Sequence, residues 1–135
     1  FDLIALDAFS SDAIPMHLLT LEAIELYFEK LAPDGVLAFH ISNNYLSLSK
    51  VLVGACSELD IPGRYSNDQP ITDDERAAGK EPSQWFFMAR RESDLVRALP
   101  KTALYLPLKN LEQIPAWTDD RSNLLDVWGT ASDFE

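Results

Sequence analysis

The chain has 135 residues, enough for one domain or a substantial piece of one, with a modest core. An apolar fraction of 47%, with three Trp, four Tyr and seven Phe, excludes general disorder. Eleven basic against 22 acidic residues leave a net charge of −11. That balance argues against a nucleic-acid partner, whose phosphates need Lys and Arg to displace counterions, and suits a cationic small molecule or plain solubility.

In chain order, Leu3-Ile4-Ala5-Leu6 reads as a strand apolar on both faces, as in a buried parallel sheet. The chain opens directly on this strand, with no initiator Met and no signal-peptide pattern, so a longer parent is expected. Residues 8–19 read as a loop rich in Ser and Asp and broken by Pro15. Thr20 is a good N-cap, and Leu21, Ile24, Phe28 and Leu31 recur at helical spacing until Pro33-Asp34-Gly35 ends the helix. Val36 to Ile41 predicts a second buried strand, followed by the polar turn Ser42-Asn43-Asn44. A second helix is predicted over 47–59, with Leu48, Val51, Leu52, Ala55 and Leu59 inward and Ile61-Pro62-Gly63 stopping it. Alternating strands and helices indicate right-handed crossovers and a parallel sheet.

Residues 67–84 are polar, hold Pro70, Gly79 and Pro82, and read as a long mobile loop. Trp85 to Arg90 predicts a strand, with Arg64-Tyr65-Ser66 as its antiparallel partner across that loop. A short helix over 94–99, a piece over 103–108 and a last segment from Trp117 to Leu125 follow. No apolar run reaches the roughly 20 residues that span a bilayer. Cys56 has no partner for an internal disulfide and reads as a buried small hydrophobe in a reducing compartment.

Ligands of open parallel sheets sit beyond the carboxyl ends of the strands. There three polar elements converge: the first strand ends on Asp7, the second on His40 with Ser42, Asn43 and Asn44 following, and the third is the loop before Trp85. A carboxylate at an apolar strand tip needs hydrogen bonds or a cation. Asp12, across a loop with two hydroxyls, could share a cavity with Asp7, and such a pair suits binding an ammonium and taking its proton. The alternative is an Asx-turn at Asp7 and a solvated Asp12. His40 equally suits a structural hydrogen bond.

The run Phe1-Asp-Leu-Ile-Ala-Leu-Asp7-Ala-Phe-Ser-Ser-Asp12-Ala-Ile-Pro15 resembles the strand-and-loop signature of the spermidine-synthase-like family, the polyamine aminopropyltransferases. The helix, Pro-Asp-Gly turn and strand over 21–41 also match, and Trp117-Thr-Asp119-Asp-Arg-Ser-Asn-Leu124 looks like the C-terminal signature of a bacterial branch often fused to membrane segments. The resemblance implies an α/β fold: the C-terminal half of a class I methyltransferase-like, Rossmann-like three-layer sandwich, with parallel strands and an antiparallel terminal hairpin, as one partial domain over 1–135. It implies transfer of an aminopropyl group from decarboxylated S-adenosylmethionine to a diamine or polyamine, with no metal. Asp7 matches the general base and Asp12 the ammonium anchor. His40, Trp117 and Asp119 would contribute to substrate binding, and Ala8 and Phe9 would border the adenine. It further implies a cytoplasmic domain, in a parent that could carry membrane segments.

This chain departs from the family in holding four residues between the acids where other members have two, and His40 where they carry Gln. It also has no Gly-rich turn after a strand, and no acid closing a following strand for the ribose, so the piece alone should bind the nucleotide poorly and be inactive by itself. The other readings are a non-catalytic polyamine- or nucleotide-binding regulatory module, and a methyltransferase of the same fold. The truncated sheet also predicts homo-oligomers, or another strand pairing along residues 1–7.

Overall fold

Local signals set the helices. In the computed structural model, which describes residues 1–8, 15–42, 46–101, 105–106 and 108–128, the Thr20 hydroxyl accepts from the Ala23 N–H and starts α1 (Leu21–Lys30). β1 (Leu3–Leu6) precedes it and β2 (Val36–His40) follows. α2 (Leu48–Leu59) ends on Asp60, whose φ of 52° is left-handed, one residue before the predicted Ile61-Pro62-Gly63 stop. β3 (Gly63–Asn67), α3 (Asp73–Ala77), β4 (Gln84–Ala89) and α4 (Glu92–Ala98) complete the regular elements. Short 3-10 turns lie at Met16–Leu18, Leu108–Asn110 and Leu124–Val127.

The four strands form one mixed sheet in the order β1-β2-β4-β3. β1 and β2 are parallel, joined through α1, with Leu6 opposite Phe39. β4 runs antiparallel to both neighbours, with His40 opposite Trp85 and Ser66 also opposite Trp85. The fold is therefore α/β, and the predicted antiparallel pairing of 64–66 with the Trp85 strand is present.

Strand alternation divides the sheet into two faces. Leu37, Phe39, Tyr65, Phe86 and Met88 face α1 and α2 and pack with Ile24, Val51, Leu52, Ala55 and Cys56. Each fully buried Leu or Phe of this kind contributes on the order of 1.5–3 kcal/mol. On the other face α4 covers only one end, where Leu95 meets Val36 and Ala89. The remainder is an open groove of about 690 Å³ floored by Leu3, Ala5, Ala38, Trp85 and Phe87.

Two expectations are corrected. β1 is not buried on both faces, since Leu3 is 58% exposed; among the described residues it pairs with β2 alone, which leaves the open edge expected along residues 1–7. Residues 67–84 do not form a featureless loop. They contain α3, and Asp68 accepts from the Ser83 N–H across the base of the connection (2.5 Å). The tail then crosses both crossover helices. The Leu21 N–H donates to the Trp117 carbonyl (2.8 Å), and the Ser47 N–H to that of Val127 (2.9 Å). Part of the predicted piece over 103–108 lies outside the described residues.

Candidate functional site at the strand tips

Register brings the site together. Because Leu6 pairs with Phe39, the next residues, Asp7 and His40, stand side by side at the carboxyl ends of the two parallel strands. Asp7 Oδ1 lies 2.7 Å from His40 Nδ1. The Asp7 side chain is 65% exposed and that of His40 only 21%. His40 Nε2 lies 2.8 Å from Ser42 Oγ, two residues along the same strand direction and hence on the same face. Ser42 Oγ also accepts from the Gln84 N–H (2.8 Å), while the Ile41 N–H donates to the Gln84 carbonyl (2.9 Å). Ser42 is thereby pinned to the start of β4.

Donor and acceptor bookkeeping assigns the ring. With Ser42 Oγ accepting from Gln84, its own proton is free to go to Nε2, which leaves Nδ1–H to donate to the Asp7 carboxylate. Trp85 stacks on the imidazole, centroids 4.7 Å apart at 23°. Phe87 continues the stack at 6.2 Å and 13°, and Tyr105 meets Phe87 edge-on at 6.2 Å. Asp7 and His40 thus follow Ala5 and Ala38, two residues on along each strand, on the same face of the sheet as the groove.

No protein-family model matches the chain, and neither does any curated protein or solved structure. What the site can do is therefore argued from its own geometry. A nucleophile-type hydroxyl, an imidazole and an orienting carboxylate stand in hydrogen-bonded series, the arrangement that moves a proton at neutral pH. The exposed Asp7 carboxylate can meet a cation from solvent, and the net charge of −11 concentrates cations around it. Among the described residues no three His, Cys, Asp or Glu side chains gather as a metal site would require.

The other predicted residues fall as follows. Ala8 is exposed beside Asp7, while Phe9, Asp12, Asn43 and Asn44 lie outside the described residues. Trp117 is a core side chain, 3% exposed, and so offers no open aromatic wall. Asp119 accepts from the Thr20 hydroxyl (2.7 Å), and its N–H donates to Glu22 (3.0 Å), so it fastens the tail to the start of α1. It does not cap the turn at Leu124–Val127; Asn123 does, accepting from the Leu125 N–H. Since α1 runs back from the carboxyl end of β1, Asp119 lies at the same end of the sheet as Asp7, but among the described residues no hydrogen bond joins them.

Sequence reasoning placed Ser42 and the loop ending at Gln84 at this end of the sheet, but missed their hydrogen bonds in the site and the ring of Trp85. The i, i+2 spacing of His40 and Ser42 was the available signal. The Trp85 contact depends on which strand lies beside β2, which spacing alone does not encode. Among the described residues no helix is long and apolar enough to cross a membrane.

Proposed function

We propose that the chain is the C-terminal half of a methyltransferase-like domain in a polyamine aminopropyltransferase-like enzyme. The reaction is attack of a neutral amine on the carbon beside the sulfonium of decarboxylated S-adenosylmethionine, with release of a thioether. The observation that carries this reading is the Asp7–His40 pair (2.7 Å) at the carboxyl ends of the parallel strands, where this class of sheet binds its ligands. Two parallel strands running into an antiparallel hairpin also agree with the expected half-domain. In this reading Asp7 is the carboxylate of the base, and Asp12 anchors the second ammonium of the substrate. Ala8 and Phe9 border the adenine.

Calorimetry on the full-length enzyme that carries this half-domain, with putrescine and spermidine and with and without the decarboxylated nucleotide, tests the proposal. Amine binding that tightens with the nucleotide and yields aminopropyl product is the expected result. Asp7→Asn should lower turnover about 100-fold or more while keeping nucleotide affinity. Methyl transfer from intact S-adenosylmethionine would replace the reading with a methyltransferase. Polyamine binding without turnover would replace it with a regulatory module, and binding of neither ligand would end it.

A further inference from the structure

The hydrogen bonds around His40 are complete in two protonation states without movement of a heavy atom. In the neutral state Ser42 Oγ–H donates to Nε2 and Nδ1–H donates to Asp7, at 2.8 and 2.7 Å. In the charged state both ring nitrogens donate. Ser42 Oγ then uses its two lone pairs for Nε2–H and the Gln84 N–H (2.8 Å), and its own proton turns outward. Among the described residues the charged ring lies against Asp7 beyond β1, while β4 brings the neutral Gln84 and the Trp85 face, which favours a cation. A purely structural histidine needs only one of these states.

We propose that Ser42, His40 and Asp7 form a proton relay whose outlet is the Ser42 hydroxyl, and that His40, not Asp7, receives the proton of a primary ammonium substrate. The proposal rests on the aminopropyl-transfer reading and deepens it. The ammonium gives its proton to Ser42 Oγ as the serine proton passes to His40 Nε2. The resulting imidazolium is paired with the Asp7 carboxylate. The freed nitrogen lone pair attacks the carbon of the sulfonium donor; the N–C bond forms, the C–S bond breaks, and the thioether leaves with the electron pair. The secondary ammonium so formed carries the positive charge that the sulfonium has lost. Imidazoles as a class take up protons roughly 2–3 pH units above carboxylates, which makes them the stronger acceptor for an ammonium proton. Asp7, with one oxygen engaged by Nδ1–H, is a positioning residue for the ring.

His40→Asn in the full-length enzyme that carries this half-domain decides the matter. An Asn amide can donate to Asp7 in place of Nδ1–H but offers no base to Ser42, so a structural role survives and a relay does not. Expected are a fall in kcat of about 100-fold, a kcat pH profile that differs from the wild type's, and an amine KM within about twofold of wild type. Ser42→Ala should reproduce the kcat loss. Nitrogen NMR of His40 should show the Nδ1–H tautomer in the wild type. Wild-type turnover and pH profile in His40→Asn would overturn the relay and leave the transfer reading standing. A wild-type protein that transfers no aminopropyl group to any diamine would overturn the reading, and the relay with it. Labelling of Ser42 by a fluorophosphonate would overturn the relay in favour of a serine nucleophile.

Discussion

At the scale of single residues, Gly54 joins two distant parts of the chain. A Cβ at this position in α2 would lie 2.0 Å from the Ile114 carbonyl oxygen and 3.2 Å from the Ala116 nitrogen. Both are backbone atoms, so no rotamer change relieves the clash. Around it the Ile114 N–H reaches the Lys50 carbonyl (3.4 Å), and Lys50 pairs with Glu112 (2.8 Å). The segment that leads to Trp117 therefore lies directly on the helix that follows His40. Gly54→Ala should destabilise the fold by about 1–3 kcal/mol or more, read as a lower urea midpoint at unchanged slope. An unshifted midpoint would mean that the segment does not lie on α2. Gly79 differs in kind: its φ of 85° needs a glycine, yet open space surrounds it. Cys56, two residues from Gly54, is a core side chain, and burial pushes its thiol up to about 12, which fits its reading as a small hydrophobe.

At the scale of elements, α3 is held by its ends and not by a core. Thr72 Oγ1 accepts from the Glu75 N–H (3.2 Å), and the Thr72 N–H donates to Glu75 Oε2 (2.8 Å), a reciprocal capping box. Lys80 adds an ion pair to Glu75 (2.9 Å). The Thr72 N–H first, then the Lys80 ammonium, lower the Glu75 carboxyl from 4.5 to about 2. A folded-state value below the unfolded one stabilises above the unfolded value, and that contribution is lost as pH falls towards 2. NMR titration should place the Glu75 midpoint near 2, with α3 amide signals losing protection between pH 4.5 and 2. Thr72→Ala should raise the midpoint; an ordinary carboxylate midpoint in the wild type would refute the capping box. The Thr-x-x-Glu pattern was readable at 72–75, but α3 has no buried residue and hence no apolar stripe to announce it. α1 was legible because Thr20 caps a stripe that holds Ile24, and α2 because Leu48, Val51 and Leu52 recur at helical spacing, although its N-cap Ser47 makes no side-chain cap bond. Asp7 and His40 were legible one at a time, as polar ends of apolar strands. Their bond, and the places of Ser42 and Trp85, follow from strand register, which is a property of the assembled sheet.

At the scale of the whole molecule, the weak point is β1. Its open edge was legible in the sequence, but its apolar run identifies a strand without saying whether both faces are covered. Among the described residues its only strand neighbour is β2, so its other edge presents unpaired backbone donors and acceptors. Leu3 is 58% and Phe1 79% exposed beside it, and the apolar groove opens on the adjoining face. Edges of this kind pair with other strands, and a second copy of the chain supplies an identical one. Opposing this is the charge of −11 on each copy. Screening over about 10 Å at 0.1 M salt weakens that repulsion while leaving edge hydrogen bonds and apolar burial intact. Self-association should therefore grow with salt as well as with concentration, which is the reverse of an assembly held by ion pairs. Sedimentation velocity at about 0.01 M and 0.5 M sodium chloride reads this directly, with dimer expected only in the second. Leu3→Lys, which sets a charge on the edge, should keep the protein monomeric at both. A monomer at every salt and concentration would show that the edge of β1 does not pair with a second copy.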